Sequence, residues 1–454
     1  MRKDDKFQIQ RPTAKRIQSQ QPIVLEKLDD YPYKSVAMGS TRSNLTGLWR
    51  YWRPYYQTKR APCDAHCPIG NHVVDFIQTL IDGHWEKAAN ILRGENPLPA
   101  ITGRICHRPC EINCNRHQYD ERIAIHSIET VLAEFKSEAL NFPPAEQPRA
   151  VAVVGSGPAE LSFAHFMASL HHQVTIFEAE EVLASSLRHG PRARHLAAGV
   201  LDAEIERIVS ARIKVRYNQK LDRDVTLQEL ERDYDAIFGV VEMPEHLSLI
   251  IPDKGTTENE NQAKSFDPLL AGGAQNEPVK TPLRVSEAIG YAKWAALLLD
   301  SEWRGLNPQD TLAHIQVGGN NRIVSAMKYL ALLKGHTIQR SEQVVSYDML
   351  HLEFLDQPAP SVKPSLVDQA QSLLTTSFVS RDDIQYVIQE AGRCFSCGRC
   401  NNCDNCWIYC PDAAIAREKG HYQIDYDYCK GCTLCAAVCP RGVISIIEEE
   451  KWSE

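Results

Sequence analysis

A chain of 454 residues exceeds what a single hydrophobic core usually organises, which predicts about two to four domains. Its 43% hydrophobic and 24% charged residues are ordinary for a globular protein, and no apolar run reaches the roughly 18 residues that span a bilayer or forms a signal-peptide apolar region, so a cytoplasmic chain with no membrane span is expected. The net charge of -8 is uneven: residues 1–60 hold 13 Lys and Arg against 5 Asp and Glu, so a basic arm precedes an acidic body and no nucleic-acid partner is expected.

Residues 1–55 read as an extended basic arm, either a docking tail or a solvated, partly disordered terminus. Residues 56–145 carry helical apolar spacing, with "NHVVDFIQTLIDGHWEKAANILRGENPLP" predicting two short helices broken at Gly83. From Arg149 the pattern changes to a strand at 151–154, a glycine turn, a helix near 158–170 and a strand at 173–177 ending at Glu178, the start of a βαβ unit within an α/β domain over 146–305. Residues 253–280 read as polar loop and 284–303 as helix. The connecting segment 306–385 includes "IQVGGNNRIVSAMKYLALLKG", a core helix with a tight turn because Asn320 interrupts its G-x-G, and a linker marked by Pro358, Pro360 and Pro364. Residues 386–454 form the last domain.

Fifteen cysteines in a reducing compartment, an odd number, predict metal ligation ahead of disulfides. Five lie between Cys63 and Cys114 and ten between Cys394 and Cys439, with none in between. The C-terminal group contains C-x2-C-x2-C-x3-C-P twice. In that arrangement three thiolates hold one cubane and the fourth reaches across to the other. The expected sets are Cys400, Cys403, Cys406 and Cys439 for one 4Fe-4S cluster, and Cys429, Cys432, Cys435 and Cys410 for the second. A zinc ribbon is the alternative, and the doubled spacing argues for iron and sulfide.

Cys63-x3-Cys67, "NPLPAITGRIC", "GRICHRPCEINC" and "DERIAIHSIE" resemble the N-terminal iron-sulfur domain of the glutamate synthase small subunit and its relatives, including dihydropyrimidine dehydrogenase. That resemblance implies a cluster on Cys67, Cys106, Cys110 and Glu129. A second would need Cys63, Cys114 and an upstream C-x2-C pair that residues 1–62 lack. The surplus pair Cys394 and Cys397 in "AGRCFSCG" has flanks like the missing one, so it is expected to complete the cluster in space and to bring the total to four. The alternatives are that these four thiols are spare, or that one cluster draws on the five local cysteines.

In the same family the next domain binds FAD and an inserted domain binds NADPH. "RAVAVVGSGPAELSFAHFMASLHHQVTIFEA" is similar to the FAD strand, turn and helix, and it implies Gly155, Gly157 and Glu178 as contacts if a flavin is retained. Glu160 stands where the third glycine belongs, Ser185-Ser186 replaces a Gly-Gly pair, and Glu242 and Ala274 replace a further Gly and Asp. Two of these changes put a carboxylate near the expected pyrophosphate. Fewer than 40 residues remain where the family inserts its nicotinamide domain. Neither FAD nor NAD(P) is therefore expected. The fold class is an α+β multidomain chain: an α-helical iron-sulfur domain, a degenerate Rossmann-like α/β domain and a bacterial-type ferredoxin domain with two clusters.

"TGLWRYWRP", residues 46–54, and "CDNCWIYCPDAAIAREKGHYQIDYDYCKGCTLCAAVCPRGVISI" resemble the delta, ferredoxin-like subunit of 2-oxoacid:acceptor oxidoreductases, as if the glutamate-synthase-like segment interrupted that subunit. The likeness implies a non-catalytic electron-transfer subunit whose partners are a thiamine-diphosphate-binding 2-oxoacid oxidoreductase subunit and ferredoxin or another carrier. The segment 46–54 is then either a partner contact or an aromatic surface on its own ferredoxin domain. The alternatives are an FAD-containing NAD(P)H:ferredoxin oxidoreductase and an electron-transfer subunit of another redox complex. No nucleophile, acid or base constellation is apparent, so no catalytic residue is assigned.

Overall fold

The computed structural model describes residues 45–453 apart from 190–192, 210–211, 240–247, 252–263, 266–283, 319–321, 337–342, 356, 362–379 and 419. Glu242, Ala274, Asn320, residues 1–44 of the arm, and most of the polar loop and of the proline linker lie outside the described residues; the described part of the loop, Lys264–Ser265, is a short strand because it pairs with Ile250 and Ile251. The chain divides into two compact units: a smaller one containing the segment up to Gln57, Asn402–Cys439 and Ile444–Glu454, and a larger one of Thr58–Asn401 with Pro440–Val443. The described strands are β1 (Trp52–Tyr56), β2 (Ala150–Val154), β3 (Gln173–Phe177), β4 (Ile213–Arg216), β5 (Ala236–Gly239), β6 (Ser248–Ile251), β7 (Lys264–Ser265), β8 (Ile415–Glu418), β9 (His421–Ile424) and β10 (Ile444–Glu448).

In the smaller unit, β1 pairs antiparallel with β10, Trp52 opposite Glu448 and Tyr56 opposite Ile444. β8 and β9 form a second antiparallel pair. Ile415, Tyr422, Ile424 and Ile444 pack with Cys406, Cys429 and Cys435 into one core, and Tyr56 lies against it. Residues 46–56 are therefore not an extended arm. The Gly47 amide donates to Asp427 O at 2.8 Å, and a Cβ on Gly47 would fall 2.0 Å from Tyr426 O, so the close approach requires glycine. Arg50 donates to Tyr426 O at 2.8 Å and Cys429 O at 3.1 Å and grips both oxygens of Glu449 at 2.6 Å. Arg53 stacks 3.6 Å above the Tyr426 ring. The backbone N–H and C=O groups of β1 need a partner strand, and here the partner lies near the far end of the chain.

The larger unit begins with the two expected helices, Val73–Ile81 and Trp85–Glu95, separated at Gly83 with φ +81°. Their apolar faces meet those of helices Ile125–Leu132 and Arg381–Gly392 in a core that includes Phe76, Ile77, Leu92, Ile128, Leu132 and Val387. The Asp64 carboxylate caps the first of these helices, accepting from Val73 N at 2.8 Å and Val74 N at 3.3 Å. A six-stranded sheet follows in the order β4-β3-β2-β5-β6-β7. β4, β3, β2 and β5 run parallel, and β6 and β7 run antiparallel to their neighbours. Helix Pro158–Ser169 connects β2 to β3, as the apolar spacing predicts, and helix Val285–Trp303 is buried along most of its length. Among the described residues no helix is long and apolar enough to cross a membrane.

Two contacts fix the buried helix. A Cβ on Gly290 would lie 2.1 Å from Pro68 O. Gly290→Ala should therefore lower stability by about 1–3 kcal/mol, read as a drop in the apparent unfolding midpoint; an unchanged midpoint would mean that the helix can move away. Lys293 donates to Glu95 Oε2 at 2.5 Å, and both residues are 0% exposed. Glu95 also accepts from Ser325 Oγ at 2.5 Å, Ala326 N at 2.9 Å and Met327 N at 3.0 Å, capping helix Ala326–Leu333. Burial alone would raise this carboxyl, but Lys293 and His72 outweigh it and hold Glu95 at about 2.

Candidate metal centres

All fifteen cysteines are unbridged. In the larger unit Cys63 lies in the short helix Pro62–His66, Cys114 follows the turn of helix Pro109–Ile112, and Cys394 and Cys397 follow helix Arg381–Gly392. These four lie near one another, Cys63 and Cys397 buried and Cys114 and Cys394 part-buried. Burial pushes the Cys63 thiol well above its ordinary range, and Asp64 and the sulfurs of Cys114, Cys394 and Cys397 push it further. Cys394 is raised to about 11, first by burial, with Cys114 adding to it. Cys397 is raised by burial and by Cys394 and Cys114. Such thiols do not ionise readily by themselves; a bound cationic cluster would displace their protons to solvent and take the thiolates as ligands.

The two distant segments are held together by a buried ionic network. Arg116 Nη1 donates to Arg393 O at 2.9 Å. Arg393 donates to Glu390 Oε1 at 2.7 Å, Asp120 Oδ1 at 3.1 Å and Glu121 O at 2.6 Å. Glu390 Oε2 in turn accepts from Ala124 N at 3.0 Å. Arg116 and Arg393 are buried, so their charges are stable only because each is met by a carboxylate or carbonyl. Asn115 Nδ2 donates to Val345 O at 2.9 Å and reaches Cys397 Sγ at 3.5 Å.

A second group in the same unit contains Cys67, Cys106, Cys110 and Glu129. Burial raises Cys67 to about 12, with Glu129 and Cys106 contributing. Cys110 is raised by burial, then by Cys67, Glu129, Glu111 and Cys106. Glu129 projects from helix Ile125–Leu132 and is raised to about 7 by burial, while Asn71 Nδ2 donates to its Oε1 at 2.9 Å. Glu111 is also buried here, accepting from His126 N at 2.8 Å and meeting its Nδ1 at 2.6 Å.

In the smaller unit Cys410, Cys429, Cys432 and Cys435 line one small cavity with Pro54, Pro411 and Thr433. Cys435 is raised to about 12 by burial and then by Cys429, Cys432 and Cys410. Of the remaining expected set, Cys403, Cys406 and Cys439 belong to the smaller unit and Cys400 to the larger. Tyr56 Oη donates to Cys406 Sγ at 3.2 Å.

The loops between cysteines share one backbone feature. Arg108, Ser396, Asn402, Asp404, Gly431 and Thr433 all have φ between 52° and 71°. A left-handed non-glycine residue costs roughly 1–2 kcal/mol, but it curls successive amides into a concave nest that faces negative sulfur. Arg108 N, Ser396 N and Ala414 N lie 3.4, 3.4 and 3.3 Å from Cys106, Cys394 and Cys410 Sγ. Among the described residues no group of three or more His, Cys, Asp or Glu is placed to hold a single ion. Clustered soft thiolates with amide donors fit a polynuclear iron-sulfur group. Sequence alone does not point to the sulfur donors Tyr56 and Asn115 or to the Glu129 anchor Asn71, since none has a spacing that relates it to its sulfur or carboxylate.

The glycine turn is occupied differently. Gly155, at φ +97°, and Gly157 precede helix Pro158–Ser169, and the buried Glu160 side chain lies over them. A Cβ on Gly157 would stand 2.7 Å from Glu160 Oε2. The Ser156 hydroxyl donates to Glu178 Oε2 and accepts from Ala184 N at 2.7 Å, while Glu178 Oε1 accepts from Glu180 N at 3.0 Å. As arranged, these residues do not fit a bound pyrophosphate. Ser185-Ser186 opens a short helix, Ser185–His189.

Residues 55–140 match the family model described as dihydropyrimidine dehydrogenase domain II, 4Fe-4S cluster, and residues 422–445 match that of the 4Fe-4S binding domain. The chain carries 4Fe-4S domains. It is 31% identical over 230 residues to the NADP(+)-dependent formate dehydrogenase subunit beta of Moorella thermoacetica, covering 45% of this chain and 31% of that one. The NADPH-Fe(3+) oxidoreductase subunit beta of Geobacter sulfurreducens is 28% identical, covering 39% of this chain and 27% of that one. The glutamate synthase (NADPH) small chain of Bacillus subtilis is 30% identical, covering 38% and 36%. The chain spans less than half the length of each of these relatives. All three names mention NADP(+) or NADPH, and the first two carry beta-subunit designations.

Proposed function

We propose that this chain is a non-catalytic electron-transfer subunit of a multi-subunit oxidoreductase. It would hold four 4Fe-4S clusters: one on Cys63, Cys114, Cys394 and Cys397, one on Cys67, Cys106, Cys110 and Glu129, and two on the eight ferredoxin cysteines. The observation that carries this reading is the first set. What supports it is that thiols from segments far apart in sequence lie near enough to raise one another's pKa, and that assigning them to one cluster leaves no cysteine over. A 4Fe-4S group supplies one-electron transfer by spreading charge over several irons. The chain's own part is to exclude water, to aim amides and hydroxyls at sulfur, and to set the potential through buried charge.

We further infer that the electron source is a thiamine-diphosphate subunit that oxidises a 2-oxoacid with coenzyme A, its two electrons leaving one at a time for ferredoxin or another carrier. What supports this is β1 pairing with β10, which joins the two segments that resemble one ferredoxin-like subunit. The names of the relatives favour a second reading, a subunit that exchanges electrons with NAD(P)H through a flavin. Iron, acid-labile sulfide and flavin measured on one anaerobic preparation, with identification of co-purifying subunits, separate the two. About sixteen irons per chain, no flavin and a thiamine-diphosphate partner are expected. Stoichiometric flavin with NAD(P)H-driven reduction of the clusters would overturn the 2-oxoacid assignment.

Tyr56→Phe removes one donor to the Cys406 sulfur. That donor favours the more negative, reduced cluster. The variant should lower one midpoint potential by roughly 40 mV, the equivalent of a hydrogen bond of about 1 kcal/mol in a one-electron couple. An electron paramagnetic resonance titration reads the shift directly.

A further inference from the structure

The Glu160 side chain and the glycine turn beneath it present the same chemistry twice, once as a carboxylate and once as a cradle for an anion. Gly157 is the N-cap of the twelve-residue helix Pro158–Ser169, and Pro158 at its first position has no N–H to offer. Glu160 is then the third helical residue, the position from which a Glu carboxylate reaches back to the N-cap amide. Burial pushes this carboxyl up to about 7 and the nearby Glu178 adds to it, while the amides of Glu160 itself and of Gly157 favour its charged form. Those are amides that a helix N-terminus offers to a phosphate.

The space above the turn is taken. The carboxylate is close enough to Gly157 that a Cβ there would collide with Oε2 at 2.7 Å, and one on Gly155 would touch Cγ at 3.8 Å. A capping glutamate on an exposed helix ordinarily sits in water, whereas Glu160 is 8% exposed. The neighbouring polar groups are satisfied internally too. Ser156 bonds to Glu178 and to the Ala184 amide, and the second Glu178 oxygen takes the Glu180 amide.

We propose that the Glu160 carboxylate is a built-in anion that fills the pyrophosphate cradle, so that the turn folds around its own side chain and admits a nucleotide diphosphate only when that side chain is removed. The helix terminus keeps the stabilisation an anion gives it without needing a ligand. The inference goes beyond the electron-transfer reading and does not depend on it.

The test uses full-length wild type, Glu160→Gly and Glu160→Gln, prepared anaerobically and titrated with ADP, a probe that asks only for the pyrophosphate and ribose contacts. Flavin released on denaturation is measured on each preparation. The expected result is no flavin in the wild type, at least a tenfold gain in ADP affinity for Glu160→Gly, and a smaller gain for Glu160→Gln, which drops the charge but still fills the space. Equal gains in both variants would mean that charge repulsion alone keeps nucleotides out and would overturn the filled-cradle proposal. So would stoichiometric flavin in the wild type, or no gain in Glu160→Gly. Iron content of each preparation reports folding, and if the Gly variant loses its iron, Glu160→Ala carries the same comparison. Wild type without iron would sink the electron-transfer reading while leaving the ADP comparison intact.

Discussion

Cys394→Ser should cost the protein one whole cluster, about four irons and four sulfides per chain, although the residue lies 280 positions after Cys114 in the sequence. Cys63→Ser should cost the same cluster. The double variant Cys63→Ser with Cys394→Ser is therefore expected to lose no more iron than either single one, since two residues that serve one centre are not additive. Loss of two clusters in the double variant, or full iron in Cys394→Ser, would show that these thiols do not share a centre. The signals of the remaining clusters control for folding, because Cys67, Cys106, Cys110 and Glu129 are held by separate contacts such as Asn71 to Glu129.

The second large effect is expected at the buried pair. Lys293→Met leaves the Glu95 carboxylate without its main cation in a site from which water is excluded, and removal of one partner from such a pair costs about 3–5 kcal/mol. Glu95→Gln in the Lys293→Met background should recover part of that loss, because it removes the stranded charge while its amide oxygen still accepts from Ser325 Oγ and the Met327 amide, which share one carboxylate oxygen in the wild type. The pair also sets a pH dependence. Glu95 is depressed from an ordinary 4.5 to about 2 in the fold. Its stabilising contribution is thus fully present above about 4.5 and fades as pH falls toward 2. Cluster-free protein followed by circular dichroism through that window should lose stability more steeply than Lys293→Met does. Equal slopes would show that Lys293 does not hold the carboxylate down.

Some features were legible because the chemistry that specifies them is local. The paired C-x2-C-x2-C-x3-C-P runs, the helix break at Gly83 and the strand, turn and helix at 150–169 each depend on spacings within a few residues. Glu160 was legible as a carboxylate in the wrong place, but only its buried position over Gly157 identifies it as occupying the turn. The sequence left the aromatic segment at 46–54 as either a partner contact or an aromatic surface on its own ferredoxin domain, and its described residues pack in the second way. Its partner strand is 444–448, and no local pattern encodes a pairing across that distance.

The amino-acid sequence by itself determined the inventory: which side chains are soft ligands, which loops turn tightly enough to wrap a cluster, and which helices have an apolar face to bury. The ligand count already set Cys394 and Cys397 beside Cys63 and Cys114 as an expectation; tertiary structure decided which contacts bring those segments together. Cys63 and Cys114 are drawn to Cys394 and Cys397 by the buried Arg116–Arg393 contact and by the carboxylates that neutralise it. The reason is physical. Two buried guanidinium groups are tolerable where acceptors meet them, and besides the local carboxylates Asp120 and Glu390 those acceptors reach across from the other segment: Arg393 O and Pro358 O for Arg116, Asp120 and Glu121 O for Arg393.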